Sequence, residues 1–296
     1  MRAFDTPTVD AVVQLRDGRT LAYAEFGRPA GIPIFHFHGG GTTRLEAALL
    51  AEAATKLEVR LIGLDLPGIG RSQVRQGYRL LDWPDDVVQV AEALGIERFA
   101  VEGVSAGAPF ALACAYKIPN RLLACGLISG MVPLNLVTAT TPLGFRATWF
   151  ITQCFSWLLR LTSELSNRAY RDEATIEKLL LRSTWFLPEP DKKVLRNPHM
   201  RKLLARATLE TTWQGVATSL YGAKLLTDPW GFALEQVTFE KLFLWHGQLD
   251  ESVPVSLAQA MVDRFSHCTA TIYPNEAHIS TLVNHTVDIL AALVSA

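Results

Sequence analysis

Short runs of consecutive apolar residues alternate along the chain with longer stretches in which apolar positions recur every three or four residues. The first pattern marks buried strands and the second helices. Val9 to Leu15 and Thr20 to Phe26 read as strands around a turn at Asp17-Gly18. Ile32 to Phe37 is a third run, ending in His38-Gly39-Gly40-Gly41, which suits neither helix nor strand. Leu45 to Leu57 predicts a helix, and Val59 to Leu64 a strand closed by Asp65 and the turn Pro67-Gly68-Ile69-Gly70. Asp82-Trp83-Pro84 predicts a helix start, with Asp82 as N-cap and Pro84 in the first turn, running to Gly95. Phe99-Ala100-Val101 ends a buried strand, Ala108 to Tyr116 predicts a helix, and Leu123 to Ser129 another strand.

The alternation then stops. From Met131 to about Gln236 the pattern is of helices and loops, with aromatic clusters (Trp149, Phe150, Phe155 and Trp157, then Trp185, Phe186, Trp213, Tyr221 and Trp230). It resumes with a strand at Lys241 to Trp245, a helix near Val255 to Phe265, a strand at Ala270 to Tyr273 and one last helix from Ile279 to Val294. Strands alternating with helices predict an α/β fold with a mostly parallel central sheet flanked by helices. The expected organisation is a core of residues 1–130 and 237–296 with an inserted helical cap, 131–236.

Composition narrows the setting. Of 296 residues, 49% are apolar and 19% charged, enough for one large core and unlike a disordered chain. A net charge of −1 gives no electrostatic reason to expect a nucleic-acid partner. The start lacks the layout of a secretory signal, and the four cysteines (Cys114, Cys125, Cys154, Cys268) are scattered, so free thiols and a cytoplasmic location are expected. The most lipophilic stretch, Leu143 to Leu161, contains Arg146 and Arg160, a poor transmembrane segment.

The chemistry concentrates at Gly103-Val104-Ser105-Ala106-Gly107, a G-x-S-x-G pattern between a strand and a helix. A turn that sharp strains its central residue, and glycines on both sides relieve the crowding. It holds the serine hydroxyl out at a helix N-terminus, where unpaired N–H groups favour negative charge. A serine nucleophile needs a base, and the base an acid to orient it. Asp250 follows one late strand and His278 the next. In a parallel sheet both loops leave the edge from which Ser105 emerges, where ligands of open α/β sheets bind.

These segments resemble the α/β-hydrolase fold superfamily. The likeness is carried by His38-Gly39, Asp65-Leu66-Pro67-Gly68-Ile69-Gly70-Arg71-Ser72, Gly103 to Gly107, Gly247-Gln248-Leu249-Asp250-Glu251-Ser252-Val253-Pro254, and Ala277-His278. It covers roughly Thr20 to Pro133 and Phe239 to the C-terminus, leaving an insertion that looks like that superfamily's variable cap. The resemblance implies Ser105 as nucleophile, His278 as general base and then acid, and Asp250 as the residue orienting it. It implies an oxyanion hole from the backbone N–H groups of Gly40 and Ala106, with Gly41 as an alternative to Gly40. It implies a serine hydrolase acting on a small-molecule substrate with no metal or organic cofactor. The leading expectation is a carboxylic ester hydrolase for small or medium apolar substrates, working through an acyl-enzyme. Carbon–carbon bond hydrolases, amidases or iminopeptidases, lactonases, cofactor-free haloperoxidases and a non-catalytic ligand receptor remain alternatives, because one fold hosts many activities.

Other residues compete for roles. His36 and His38 share a strand face, yet no further ligand cluster follows, so a structural role is expected, with His38 bonding the loop backbone. His285 competes with His278 but falls inside the expected last helix. Glu251 and Asp228 compete with Asp250. Asp65 reads as a turn-former, and Arg44 as an anchor of the glycine loop. The insertion's aromatics read first as packing, the commoner role at helical spacing, and second as the wall of an acyl pocket. Glu102, in a strand buried on both faces, must find partners or take up a proton. Structural pairing is the first expectation, and tuning of the nucleophile region the second.

Overall fold

Strands that are apolar without interruption need cover on both faces, and the chain supplies it in the order its sequence predicts. The computed structural model describes residues 5–138, 141–146, 164 and 172–296. Among these, β1 (Val9–Gln14), β2 (Thr20–Gly27), β3 (Ile32–Phe37), β4 (Val59–Leu64), β5 (Phe99–Val104), β6 (Leu122–Ile128), β7 (Leu242–Gly247) and β8 (Thr269–Tyr273) form one sheet. Its order is β1-β2-β4-β3-β5-β6-β7-β8. β2 runs antiparallel to both its neighbours, and β3 to β8 are parallel. From β3 the chain crosses to β4 on one side, then returns to place β5 on the other. This reversal opens a crevice beyond the carboxyl ends of β3 and β5, the place where ligands settle in open α/β sheets.

Alternate residues of each strand feed two cores. One face, with Ile34, Leu61 and Ala100, packs against a 3-10 stretch at Arg44–Leu50 and helix α1 (Ala51–Lys56). The other face, with Phe35, Phe37 and Val101, packs against α2 (Trp83–Ala93) and α3 (Ala108–Lys117). There the fully buried Trp83 makes edge-on contacts with Phe37 and Phe110 at 5.2 and 5.6 Å. Between β6 and β7 the described elements are all helical, with α4 (Glu173–Ser183), α5 (Glu189–Arg196), α6 (Pro198–Leu209) and α7 (Val216–Lys224) as its α-helices. After β7 come α8 (Val255–Val262), α9 (His278–Asn284) and α10 (Thr286–Ser295). No helix among the described residues is long and apolar enough to cross a membrane, and the expectation for Leu143 to Leu161 lies largely outside those residues.

Three local expectations are corrected. The helix expected from Leu45 to Leu57 is a 3-10 stretch followed by the short α1. Its backbone lies against β4 at Gly63, where a Cβ would sit 2.2 Å from the Arg44 carbonyl oxygen. Asp82 does not cap α2. Its own backbone is already helical, and its carboxylate accepts from the Arg79 N–H at 2.8 Å, closing a preceding 3-10 turn. The last helix is two helices broken at His285, whose ring stacks on Tyr273 with centroids 3.6 Å apart.

Candidate active site

Ser105 follows β5 directly, in a left-handed conformation (φ +50°) that non-glycine residues avoid. The turn closes because its flanking glycines lack side chains. A Cβ on Gly103 would lie 2.3 Å from the Gly107 carbonyl oxygen, and one on Gly107 2.1 Å from that of Phe37. The chain then enters a 3-10 turn and α3, so the Ala106 N–H stands at a helix start. Gly40 comes from the loop after β3 and faces Ala106, with its Cβ position 3.8 Å from the Ala106 Cβ. Gly41 follows at φ +78°, open to space.

Asp250 lies in the loop after β7. One carboxylate oxygen accepts from the N–H groups of Ser252 and Val253, both at 2.8 Å. The other accepts from Nδ1 of His278 at 2.7 Å. Those contacts fix the carboxylate and engage Nδ1 of His278, so that Nε2 is the ring nitrogen left for other chemistry. Burial opposes charge on His278, but the attraction of Asp250 wins and raises its pKa. The His278 carbonyl accepts from the Ser129 hydroxyl at 3.1 Å. Ser105, His278, and Gly39 to Gly41 line one cavity of about 290 Å³. The competitors are engaged elsewhere or exposed: His285 on Tyr273, Asp228 with Lys224, and Glu251 in solvent.

The wall of this cavity is mostly aliphatic. Leu49 and Leu282 come from the core, and Leu180, Leu195 and Leu204 from α4, α5 and α6. Of the insertion's described aromatics, Trp230 and Tyr221 pack with the core, as the packing reading expects, while Trp185, Phe186 and Trp213 are exposed. Trp149, Phe150, Phe155 and Trp157 lie outside the described residues. A smaller cavity of about 80 Å³, lined by Ala106, Leu66, Ile69 and Phe110, adjoins the other side of the glycine loop.

A second layer of buried charge lies beneath the loop. Glu102 is the register partner of His36 across β5 and β3, and its carboxylate accepts from His36 Nδ1 at 3.0 Å. His36 Nε2 lies 3.5 Å from Glu46, whose carboxylate accepts from the Gly39 N–H and the Thr42 hydroxyl. Burial disfavours a charged His36, yet Glu102 and Glu46 push its pKa up to about 9. Structural pairing of Glu102 is therefore what the structure shows. Arg44 departs from expectation: it is fully buried and pairs with Asp10, Asp65 and Glu210, so the glycine loop is held by Glu46. Glu46 was silent in the sequence except as the one charge within Leu45 to Ala51. Asp65 holds its turn by accepting from the N–H groups of Arg44 and Arg71. His38 donates from Nδ1 to the Gly39 carbonyl at 2.8 Å, because its Nε2 accepts from the Leu66 N–H at 3.1 Å. Among the described residues no group of three or more His, Cys, Asp and Glu could hold a metal ion.

Residues 32–284 match the family model described as alpha/beta hydrolase fold. The chain belongs to the alpha/beta hydrolase fold family. It is 31% identical over 137 residues to a bifunctional esterase/perhydrolase of Acinetobacter calcoaceticus, covering 45% of this chain and 49% of that one. It is 28% identical over 155 residues to an uncharacterized hydrolase of Bacillus subtilis (strain 168), covering 51% and 52%. The matched stretch spans about half the length of these curated relatives. Among solved structures, an esterase from Thermogutta terrifontis superposes with a TM-score of 0.68 at 19% identity, over 97% of this chain and 98% of that one. The alpha/beta hydrolase fold thus extends over nearly the whole chain.

Proposed function

We propose that this protein is a serine hydrolase that cleaves a carboxylic ester of a small or medium apolar substrate through an acyl-enzyme on Ser105. The observation that carries the reading is the Asp250–His278 hydrogen bond at 2.7 Å beside a cavity that Ser105 also lines. Asp250 keeps the proton on Nδ1 and leaves Nε2 basic. Nε2 takes the Ser105 proton as Oγ attacks the ester carbonyl. The resulting oxyanion accepts from the N–H groups of Gly40 and Ala106, each contributing roughly 3 kcal/mol in the transition state. His278 then gives its proton to the departing alcohol. Water repeats the sequence on the acyl-enzyme, releasing the acid and restoring Ser105.

The aliphatic wall supports an apolar acyl group, and helices between β6 and β7 supply three of its five leucines. In this reading residues 131–236 act as a cap that encloses the substrate and excludes water. The esterase/perhydrolase relative points to the same bond type. Hydrolysis of p-nitrophenyl acetate, butyrate and octanoate tests the proposal. Turnover that prefers the apolar acyl chains and disappears in Ser105→Ala is expected. Full turnover in Ser105→Ala contradicts it.

A further inference from the structure

We propose that Asp191, on α5 in the segment between β6 and β7, is a positioning residue that holds His278 in place by capping the helix that His278 begins. The inference rests on the reading of His278 as the general base. Asp191 is 1% exposed, and one of its carboxylate oxygens accepts from the N–H groups of Ile279 and Ser280, at 3.0 and 2.9 Å. These are donors of the first turn of α9, which have no partner within their own helix. Ala277, at the position where a Ser, Thr, Asp or Asn side chain would serve as cap, has no group to do so. A carboxylate 88 residues earlier in the chain fills the place.

His278 is thereby fixed at three points. Asp250 holds its ring, the Ser129 hydroxyl its carbonyl, and Asp191 the helix that follows. The first two contacts come from loops at the sheet edge. The third comes from the same helix as Leu195, which lines the cavity. Seating of α5 over the cavity and alignment of the base are therefore one contact. A substrate that displaces α5 also loosens His278, and one that fits beneath it keeps the base aligned.

The contact is electrostatic as well. The charged or titratable groups facing His278 are Asp250 after β7, Asp191 on α5, Glu46 after β3 and His246 on β7. Burial disfavours the charged imidazole, whereas the three carboxylates favour it. Removing the Asp191 charge therefore lowers the pKa of His278 and moves the acid limb of activity to lower pH.

The test compares wild type, Asp191→Ala and Asp191→Asn, each first checked for a cooperative thermal transition. The readouts are kcat, KM and the pH profile with p-nitrophenyl butyrate. Asn keeps the acceptor and loses the charge, whereas Ala loses both. In Asp191→Ala, kcat should fall roughly 10- to 100-fold with KM within about threefold, the scale of a misplaced catalytic group. Asp191→Asn should restore most of kcat, while both variants shift the acid limb to lower pH. If Asp191→Ala does not fold, Asp191→Ser, a shorter acceptor, replaces it and should lie below Asp191→Asn in kcat. Wild-type kcat and an unmoved limb in the folded variants, or equal damage in Asn and Ala, would overturn the inference while leaving Ser105 as nucleophile. A wild type inert to the ester and to a fluorophosphonate overturns the reading of the base itself, and this inference with it.

Discussion

Nδ1 of His36 and the carboxylate of Glu102 meet at 3.0 Å between two central strands, with both side chains wholly buried. Charge survives there because His36 is shared with Glu46, which in turn grips the Gly39 N–H. Breaking one member of such a pair leaves an uncompensated buried charge. Glu102→Ala should therefore cost about 3–5 kcal/mol, read from denaturant unfolding at unchanged slope.

The same network predicts how stability varies with pH. The pKa of His36 rises from 6.5 to about 9 on folding. A raised folded value means the native state holds its proton more tightly. The stabilisation is thus fully present below pH 6.5 and is lost as pH rises toward 9. Thermal midpoints should decline over that window in wild type. His36→Gln should start lower and decline less, and equal slopes would refute the assignment.

His278 predicts a separate effect on rate. As general base it must be neutral, and Asp250 raises its pKa above 6.5. The acid limb of kcat/KM should accordingly lie above pH 6.5. Asp250→Asn should move that limb down and reduce kcat by about 10⁴-fold, because the wrong tautomer is then held. Ester kinetics from pH 5 to 9 measure both.

Two glycines should answer differently to alanine. In Gly107→Ala the new Cβ would lie 2.1 Å from the Phe37 carbonyl oxygen, so strand β3 and the elbow must move apart. A loss of about 2–3 kcal/mol or more is expected. Gly41 has open space but a φ of +78°, so Gly41→Ala should cost only about 1–2 kcal/mol. Calorimetric midpoints of the two variants give the ranking.

Most of the sheet was legible because its strands are continuously apolar and their turns carry Gly, Pro and Asp. The G-x-S-x-G elbow announced itself through its glycines, and Asp250 and His278 through their places after late strands. What the sequence hid depends on distance in space. Glu46 and Asp191 look like ordinary helix surface charges, and only folding brings one to the Gly39 N–H and the other to the start of α9. The break at His285 was hidden too, since residues 279–294 are apolar enough to pass as one helix and no proline or glycine marks the boundary. The cavity wall was hidden for a related reason. The insertion's leucines that share the cavity with Ser105 come one each from three successive helices, while Trp185 and Phe186 face outward.

The central claim is that Ser105 is an activated nucleophile. Fluorophosphonate labelling followed by peptide mass spectrometry measures it directly. A single adduct on Ser105 should appear, with loss of ester hydrolysis in proportion to labelling. Ser105→Ala should take up no probe and lose about 10⁴-fold or more in kcat. An adduct on another residue, or ester turnover that persists in Ser105→Ala, would contradict the account.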